Sequence, residues 1–148
     1  MVGQFVLLVL LLLAGLPGLR RGLWPQSPIG WLQFGAGVTL IGVAGVVLVR
    51  AFADLGESLT PVPRPRPDAR LVESGIYAHL RHPIYAAVML ASIGWSSFTS
   101  SLSAFAVALV LVVFLDAKAR REEDWLVERY AAYAEYRRRS KRFLPGIY

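Results

Sequence analysis

Three long segments without a charged side chain constrain the fold more than any other feature of this sequence. They cover residues 1–19, 29–49 and 83–115. The second segment, with 21 residues, is long enough to cross a hydrocarbon core of about 30 Å as one helix. The third has 33 residues, too many for one crossing, and its serine- and threonine-rich stretch 96–101 supplies a break. We therefore predict a hairpin of two membrane helices there, with Pro83 at the start of the first.

Composition agrees with a membrane protein, because 55% of the residues are hydrophobic and only 18% are charged. The predicted fold class is an all-α integral membrane protein with about four transmembrane helices and a cytoplasmic amphipathic C-terminal helix. Residues 1–148 form one predicted domain. Its parts are two N-terminal membrane helices (1–49), a cytoplasmic connecting loop (50–82), the helical hairpin (83–118) and a cytoplasmic tail helix (119–148).

The first segment has two interpretations, a cleaved signal peptide or a retained membrane helix. A signal peptide begins with basic residues, whereas here Met-Val-Gly-Gln precedes the apolar run. We therefore predict a retained helix that ends at Pro17-Gly18. Arg20 and Arg21 would mark the membrane surface, and Trp24 would lie at the interface in the turn that follows.

The second segment is rich in glycine, which has two possible meanings. A nucleotide-binding glycine loop follows a strand of a soluble β-α-β unit, and nothing in this segment supplies one. Small residues also let helices approach closely in lipid, so we predict that these glycines serve helix packing. They are Gly30, Gly35, Gly37, Gly42 and Gly45.

The basic residues predict the orientation of the chain in the membrane. With four spans, the N-terminus, the connecting loop and the tail lie on one side, which then holds fourteen of the 16 Lys and Arg residues. Arg20 and Arg21 lie on the other. Because loops rich in Lys and Arg stay in the cytoplasm, we expect both termini and the connecting loop there.

Two polar regions border the membrane segments. Residues 60–67 alternate proline with other residues, so this strip is predicted to be stiff, non-helical and suited to form the wall of a pocket. In the tail, Leu126, Tyr130, Tyr133 and Tyr136 recur at helical spacing and predict one amphipathic face at the headgroup level.

The chemistry-bearing residues concentrate where the third uncharged segment begins and ends. Arg81 and His82 precede it, and Lys118 and Glu122 follow it. A hairpin would bring these ends together, and ionisable residues at membrane depth suggest a functional site. Such a cluster suits a zwitterionic small molecule. The structural alternative, interfacial cations paired with glutamates, stays open from the residues alone.

Several other classes of site are disfavoured. The chain has no cysteine, and the pair His79 and His82 has no evident third metal ligand, so we expect no metal site. The serines at 96–103 are predicted on the opposite side of the membrane from both histidines, which argues against a hydrolase triad. No nucleic-acid-binding module is recognisable.

Four ordered sequence blocks resemble the isoprenylcysteine carboxyl methyltransferase and phospholipid methyltransferase superfamily, over about residues 55–145. The four blocks are Leu71-Val72-Glu73-Ser74-Gly75-Ile76-Tyr77, Arg81-His82-Pro83-Ile84-Tyr85, Glu122-Glu123-x-x-Leu126 and Arg142-Phe143-Leu144-Pro145. A further block, Leu55 to Pro61, is similar to a segment of the superfamily's bacterial members.

The resemblance implies a cytoplasm-facing pocket for S-adenosylmethionine, with a lipophilic acceptor entering from the bilayer, in a bacterial inner or plasma membrane. Our hypothesis is that Lys118 orients an anionic acceptor and that Arg81 helps to hold the pocket. The cofactor would be bound by Leu71, Val72, Tyr77, His82, Pro83, Ile84, Tyr85 and Glu122.

The sequence departs from the family pattern at two places. Lys118 stands where the isoprenylcysteine enzymes have an arginine that contacts the acceptor, and lysine lacks the bidentate fork for a carboxylate. The tail reads Tyr130-Ala131-Ala132-Tyr133, without the usual aromatic-glycine pair. A carboxylate, amine, thiol or hydroxyl acceptor therefore stays open, as does the oligomeric state.

Two other functions are compatible with the same residues. Some membrane sterol or enone reductases that use a nicotinamide cofactor share a tyrosine, Arg-His-Pro and tyrosine arrangement. A non-catalytic membrane scaffold with a tail that binds anionic lipid is the second alternative. The Glu122-Glu123 pair and the Arg142-Phe143-Leu144-Pro145 block favour the methyltransferase.

Overall fold

The computed structural model of this chain describes residues 2–20, 25–56 and 71–146, and these residues are largely helical. A short 3-10 helix, Gly75–Ala78, precedes the third α-helix. Over the described ranges no strand forms, which confirms the all-α prediction. The α-helices are α1 (Val2–Arg20), α2 (Pro28–Leu55), α3 (Pro83–Phe98), α4 (Leu102–Arg129) and α5 (Tyr133–Arg139).

Within the described residues, three helices, α1, α2 and α4, are long and apolar enough to cross a membrane. Helix α3 is apolar but has only 16 residues. It begins at Pro83, as predicted, where a proline costs no helical hydrogen bond. The break between α3 and α4 falls inside the serine- and threonine-rich stretch. The count of four membrane spans stays a prediction.

Helix ends differ from the predicted boundaries at four places. Helix α2 runs past residue 49 to Leu55, into the predicted connecting loop. Helix α1 continues through Pro17 to Arg20. Helix α4 does not end at residue 118 but runs on to Arg129. The tail then leaves helical geometry at residues 130–132 before α5 begins. The four tail residues predicted to share one helical face are therefore divided among α4, a turn and α5, and no single tail helix forms.

Some predicted features lie outside the described residues. They are the proline-rich strip 60–67, most of the 55–61 block, Arg21 and Trp24.

By its internal contacts the chain divides into two compact units. One, here called the apolar unit, comprises Met1–Gly45 and Ala87–Leu115. The other, the charged unit, comprises Val46–Ala86 and Asp116–Tyr148.

The apolar unit is held together by close contacts at small residues. A side chain at Gly18 would collide with the carbonyl oxygen of Thr99, and one at Gly15 with the indole of Trp95. Hydroxyl groups add bonds to the backbone of α1: Ser101 Oγ donates to Ala14 O at 2.7 Å and Ser103 Oγ at 3.1 Å. These contacts are the small-residue packing and hydrogen bonding typical of membrane helices.

The predicted packing role of the α2 glycines is only partly correct. A Cβ at Gly37 would lie 2.5 Å from Phe98 N, so this glycine does allow a close helix contact. At Gly35, Gly42 and Gly45, by contrast, no described atom other than the adjoining residues and the helix's own backbone lies within 4 Å of where a Cβ would stand. Composition identified the helix as glycine-rich, but the helix rotation decides which glycines touch a neighbour.

Candidate active site

The segment that leads into α3 is fixed by an aspartate at the end of α2. Ile76 N–H donates to Asp54 Oδ2 at 2.6 Å, at the start of the 3-10 helix. Gly75 has φ +60°, and a Cβ there would collide with the Asp54 carboxylate. Glycine is therefore required both by the backbone angle and by the space. Sequence reasoning missed Asp54, an isolated acid at the end of an apolar helix.

The residues after α5 pair with the backbone just before α3. Arg81 N–H donates to Lys141 O at 2.7 Å, His82 N–H to Arg142 O at 3.1 Å, and Lys141 N–H to His79 O at 2.9 Å. Leu80 and Lys141 form an isolated parallel bridge. This backbone pairing fixes the Arg-His-Pro sequence and brings Arg142 to α4.

The carboxylate of Glu122 forms the centre of a first group of side chains. Tyr85 donates its hydroxyl to Glu122 Oε1 and Oε2, at 2.7 and 2.8 Å. Lys118 Nζ and His82 Nδ1 each lie 3.9 Å from one oxygen of the same carboxylate. Lys118 Nζ is also 4.9 Å from the centre of the Tyr85 ring, on which the His82 ring stacks at 5.4 Å. A cation, two aromatic rings and a carboxylate thus converge.

The carboxylate of Glu123 forms a second group, which is almost fully buried. The Glu123 side chain is 1% exposed and accepts from Arg81 Nε at 2.9 Å. Arg142 donates to both of its oxygens, from Nε at 3.1 Å and from Nη2 at 3.0 Å. Arg137 Nε lies 3.6 Å away, and Arg142 also reaches Asp116 at 3.2 Å. A carboxylate can remain buried in this way because cations surround it.

Two consecutive glutamates on α4 therefore have different surroundings. Glu122 is 13% exposed and faces Tyr85 and Lys118, while Glu123 faces the arginines. Chemically, the Glu122 group can bind a cation by exchange with its present partners. The Glu123 group is saturated by charge-assisted hydrogen bonds and fixes the geometry around it.

His82 lies between the two groups. Its Nε2 atom is buried and makes no well-aligned hydrogen bond within the described residues, although Glu123 Oε1 lies 3.4 Å away. The hydroxyl of Tyr133 is the second buried polar group without a partner there. Buried polar atoms are nearly always hydrogen-bonded, so these two are exceptions that need an explanation.

The tyrosines under the tail are also buried. Tyr136 donates its hydroxyl to Tyr77 O at 2.6 Å. Burial is the main cause that raises the pKa of Tyr77 to about 12, with smaller effects from Tyr136 and Asp54. Burial likewise raises the pKa of Tyr136 to about 12. Both side chains are therefore neutral and able to donate near neutral pH.

The structure brings together five of the residues proposed for the site, and places the others around them. Arg81 is directed at Glu123 and at the carbonyl oxygens of Ser140 and Arg137. Tyr77 is buried beneath Tyr136, and Pro83 is buried at the start of α3. The contacts above do not include the half-buried Leu71, Val72 and Ile84. The five that converge are Arg81, His82, Tyr85, Lys118 and Glu122.

Sequence reasoning assigned no role to Glu123 or Arg142, although both stand in the sequence blocks that resemble the methyltransferase superfamily. Their role depends on a backbone pairing between distant parts of the chain, for which the sequence has no local signal. Among the residues that the structure describes, no three His, Asp or Glu side chains come together as a metal site.

Comparison with known proteins gives a consistent result. The family model for phospholipid methyltransferase matches residues 32–133. Protein-S-isoprenylcysteine O-methyltransferase B of Arabidopsis thaliana is 27% identical over 135 residues, which cover 88% of this chain and 64% of that protein. The cobalt-zinc-cadmium resistance protein CzcN of Cupriavidus metallidurans is 36% identical over 83 residues, 55% of this chain and 38% of that protein.

A solved structure is also similar, that of the eukaryotic intramembrane Ras methyltransferase ICMT (isoprenylcysteine carboxyl methyltransferase). The TM-score is 0.70 and the sequence identity 25%, over 79% of this chain and 43% of that chain. This chain therefore spans less than two thirds of the length of each of these relatives.

Proposed function

Because this chain belongs to the phospholipid methyltransferase family, we propose that it transfers the methyl group of S-adenosylmethionine to a lipid-like or prenylated small acceptor at the membrane. The observation that supports this most is the convergence of His82, Tyr85 and Lys118 on the carboxylate of Glu122. The three apolar helices and the structural similarity agree with an integral membrane enzyme. The reductase and scaffold alternatives are not favoured by these matches.

The residues present fit the proposed cofactor. Its amino-acid end carries an ammonium and a carboxylate, and its sulfonium is positively charged. Glu122 is an anion that can exchange Lys118 for an ammonium, and Tyr85 presents an aromatic face suited to cations. The unpartnered His82 Nε2 supplies a buried polar group that a bound molecule can satisfy. Leu71, Val72, Tyr77, Pro83 and Ile84 would line the rest of the cofactor site.

When bound, S-adenosylmethionine supplies a methyl group that is already activated for transfer. The chain's own residues then have to bind the cofactor, orient the two reactants and exclude water. They need no covalent nucleophile. Correct placement of two reactants can lower a barrier by about 7–11 kcal/mol. Arg81, held by Glu123 and Ser140 O, fixes the backbone that presents His82.

The class of methyl acceptor is inferred from the relatives and from the charge of Lys118. Relatives named for isoprenylcysteine methylation support a prenylated acceptor. Lys118, 21% exposed, would orient an anionic acceptor as a point charge, because lysine lacks the fork that binds a carboxylate through two bonds. In this proposal the active site and both termini face the cytoplasm of a bacterial inner or plasma membrane.

A binding experiment tests the cofactor part of the proposal. Purified protein in detergent is titrated with S-adenosylmethionine and, separately, with a reduced nicotinamide. Glu122→Gln removes the charge that binds the ammonium, so we expect a dissociation constant about ten-fold or more higher. Asp124→Asn, an exposed change on the same helix, is the matched control. Binding of the nicotinamide alone by folded wild-type protein would favour the reductase and reject the methyltransferase.

A transfer experiment tests the acceptor. The protein is incubated with cofactor carrying a labelled methyl group and a total membrane lipid extract, and the labelled product is identified. We expect label in a lipophilic product, and much less with Glu122→Gln or His82→Ala. Unchanged transfer by both variants would reject the site assignment.

A further inference from the structure

The ammonium of Lys118 lies where two groups that attract a cation meet. Its Nζ atom is 3.9 Å from Glu122 Oε1, one turn further along α4. It also lies 4.9 Å from the centre of the Tyr85 ring on α3. The face of an aromatic ring attracts a cation, and a carboxylate beside it adds a full opposite charge. The charged unit thus contains a small cation site, and its own lysine occupies that site.

The carboxylate of this site does not depend on the lysine for its position. Tyr85 donates its hydroxyl to Glu122 Oε1 and Oε2, at 2.7 and 2.8 Å. The ring of His82 stacks on that of Tyr85 at 5.4 Å and supports it. The contact of Lys118 Nζ with Glu122 Oε1, at 3.9 Å, is longer than a hydrogen bond. Glu122 therefore keeps its place when the lysine moves away, which the flexible four-carbon stem of a lysine allows.

The site is also open enough to exchange its cation. The side chains of Lys118 and Glu122 are 21% and 13% exposed. The Glu123 side chain, by comparison, is 1% exposed and accepts charge-assisted hydrogen bonds from Arg81 and Arg142. Exchange of its cations would leave buried charges without partners, which is costly. Of these two neighbouring carboxylates, Glu122 is the one that can accept a cation from outside.

A lysine in the cation site has a measurable consequence for any ligand that carries an ammonium. The ligand gains the attraction of Glu122 and of the Tyr85 ring, but the protein loses the same attraction for Lys118. The apparent affinity is the intrinsic affinity reduced by the fraction of molecules in which the lysine has moved away. The competing interpretation is an ordinary ion pair on a helix surface, which contributes little and blocks nothing.

We propose that Lys118 is an internal competitor of the proposed cofactor, whose ammonium displaces the lysine from Glu122 and from the Tyr85 ring. The lysine thereby regulates the affinity of the site, in addition to the role toward the acceptor proposed above. This inference rests on the proposed function and names a regulation of the same site. It predicts that loss of the lysine makes the protein bind the cofactor more tightly, whereas loss of a residue that holds the cofactor weakens binding.

The test compares Lys118→Met, the wild type and Lys118→Arg, each as the full chain purified in detergent and titrated with S-adenosylmethionine. We expect Lys118→Met to have a dissociation constant about three- to ten-fold lower than the wild type. Lys118→Arg should bind more weakly than the wild type, because a guanidinium can hold a carboxylate through two hydrogen bonds. Helix content and unfolding temperature are measured in parallel. Lys118→Gln, a second uncharged variant, replaces Lys118→Met if that protein does not fold.

Three controls separate competition from a general effect of charge. Arg121→Met removes one positive charge from an exposed position of the same helix and should change the dissociation constant by less than about two-fold. An analogue of the cofactor with hydrogen in place of the amino group does not compete with the lysine, so Lys118→Met and the wild type should bind it equally. Added to Glu122→Gln, Lys118→Met should give no further gain, because the shared carboxylate is already lost.

Each comparison can overturn the inference. Equal or weaker binding of S-adenosylmethionine by Lys118→Met, or tighter binding by Lys118→Arg, would show that the lysine does not occupy the place of the ligand. An equal gain in Arg121→Met, or with the analogue that lacks the amino group, would assign the effect to net charge. A full gain in the Glu122→Gln background would show that Glu122 is not the shared partner. In all these cases the proposed function stands, whereas a folded wild type that binds no S-adenosylmethionine would reject the proposed function and this inference with it.

Discussion

The apolar unit and the charged unit are stabilised in opposite ways. In the apolar unit, helices approach because glycines leave room, as where Gly18 meets the Thr99 carbonyl and Gly37 meets the Phe98 backbone. In the charged unit, the central side chain is Glu123, 1% exposed and surrounded by arginines. The first unit depends on the shape of small residues, and the second on a complete set of charges.

This difference shows where a change should be tolerated. In the apolar unit an added methyl group is harmful only where a neighbour is close, so glycines on one helix differ in their sensitivity. In the charged unit the same volume can be kept while a single charge is lost, and the remaining buried cations then become costly. Substitutions that change volume and substitutions that change charge therefore separate the two units.

The largest effect should come from Glu123→Gln, which keeps the shape of the side chain but leaves the charges of Arg81 and Arg142 uncompensated. Removal of one partner from a buried ion pair costs about 3–5 kcal/mol. Chemical unfolding in detergent measures the loss. Asp124→Asn, next to it and exposed, should change the free energy of unfolding by less than about 0.5 kcal/mol. Equal stability of the two variants would contradict the role of Glu123.

Alkaline pH should weaken the charged unit, since Tyr77 and Tyr136 belong to it and the apolar unit has no tyrosine. Their pKa values are raised from 10.0 to about 12, mainly by burial. Folding thus favours the neutral form of these tyrosines. The stabilisation of the folded state that results is complete below pH 10 and is lost as the pH rises through about 12. Tyrosinate absorbance followed together with helix content checks this. Ionisation of all tyrosines at an unshifted pH would contradict it.

Within the apolar unit, Gly18→Ala should be the most harmful of the small changes, because its methyl group meets a backbone oxygen that cannot rotate away. Such overpacking costs about 1–3 kcal/mol. Gly42→Ala is the matched control, since its Cβ would meet no described atom outside the adjoining residues and its own helix backbone within 4 Å. Alanine there should be neutral or stabilising by about 0.5–1 kcal/mol. Similar unfolding free energies for both variants would show that helix contacts do not decide the effect.

The smallest effect should come from Ser101→Ala. Ser101 Oγ donates to Ala14 O at 2.7 Å and accepts from Ala104 N–H at 3.2 Å, which caps the start of α4. Loss of such a cap costs about 1 kcal/mol. Ser103→Ala loses an exposed bond to the same carbonyl and a 3.0 Å contact with the Ser101 hydroxyl, but no backbone cap, so it should cost less. A reversed order of the two would contradict the capping role.

The sequence was sufficient to predict the apolar helices but not the contacts between them. Uncharged segments identify membrane helices, and Pro83 fixes the start of α3, because both are local properties. Which glycine touches a neighbour depends on rotation about the helix axis, about 100° per residue. The same rotation points the side chains of Glu122 and Glu123 into different surroundings. Sequence similarity pointed to the pair, and only the three-dimensional contacts assigned a different role to each.

The tail shows a second limit of sequence reasoning. Periodic spacing of Leu126, Tyr130, Tyr133 and Tyr136 suggested one continuous helix, but the chain turns at residues 130–132. The turn lets α5 lie where Tyr136 reaches Tyr77 O and where residues 141–142 pair with the backbone before α3. Tertiary hydrogen bonds between distant residues outweigh local helical periodicity here.

The pairing of the chain before α3 with the residues after α5 also sets a time scale for synthesis. Arg81 and its acceptor Ser140 O are 59 residues apart. At about 5–20 residues per second, the ribosome takes about 3–12 s to cover that distance. Helices α3 and α4 are made during this interval, and until its end the guanidinium of Arg81 lacks its last partners. The newly made protein should therefore be sensitive to proteolysis before the last helix is docked, and resistant afterwards.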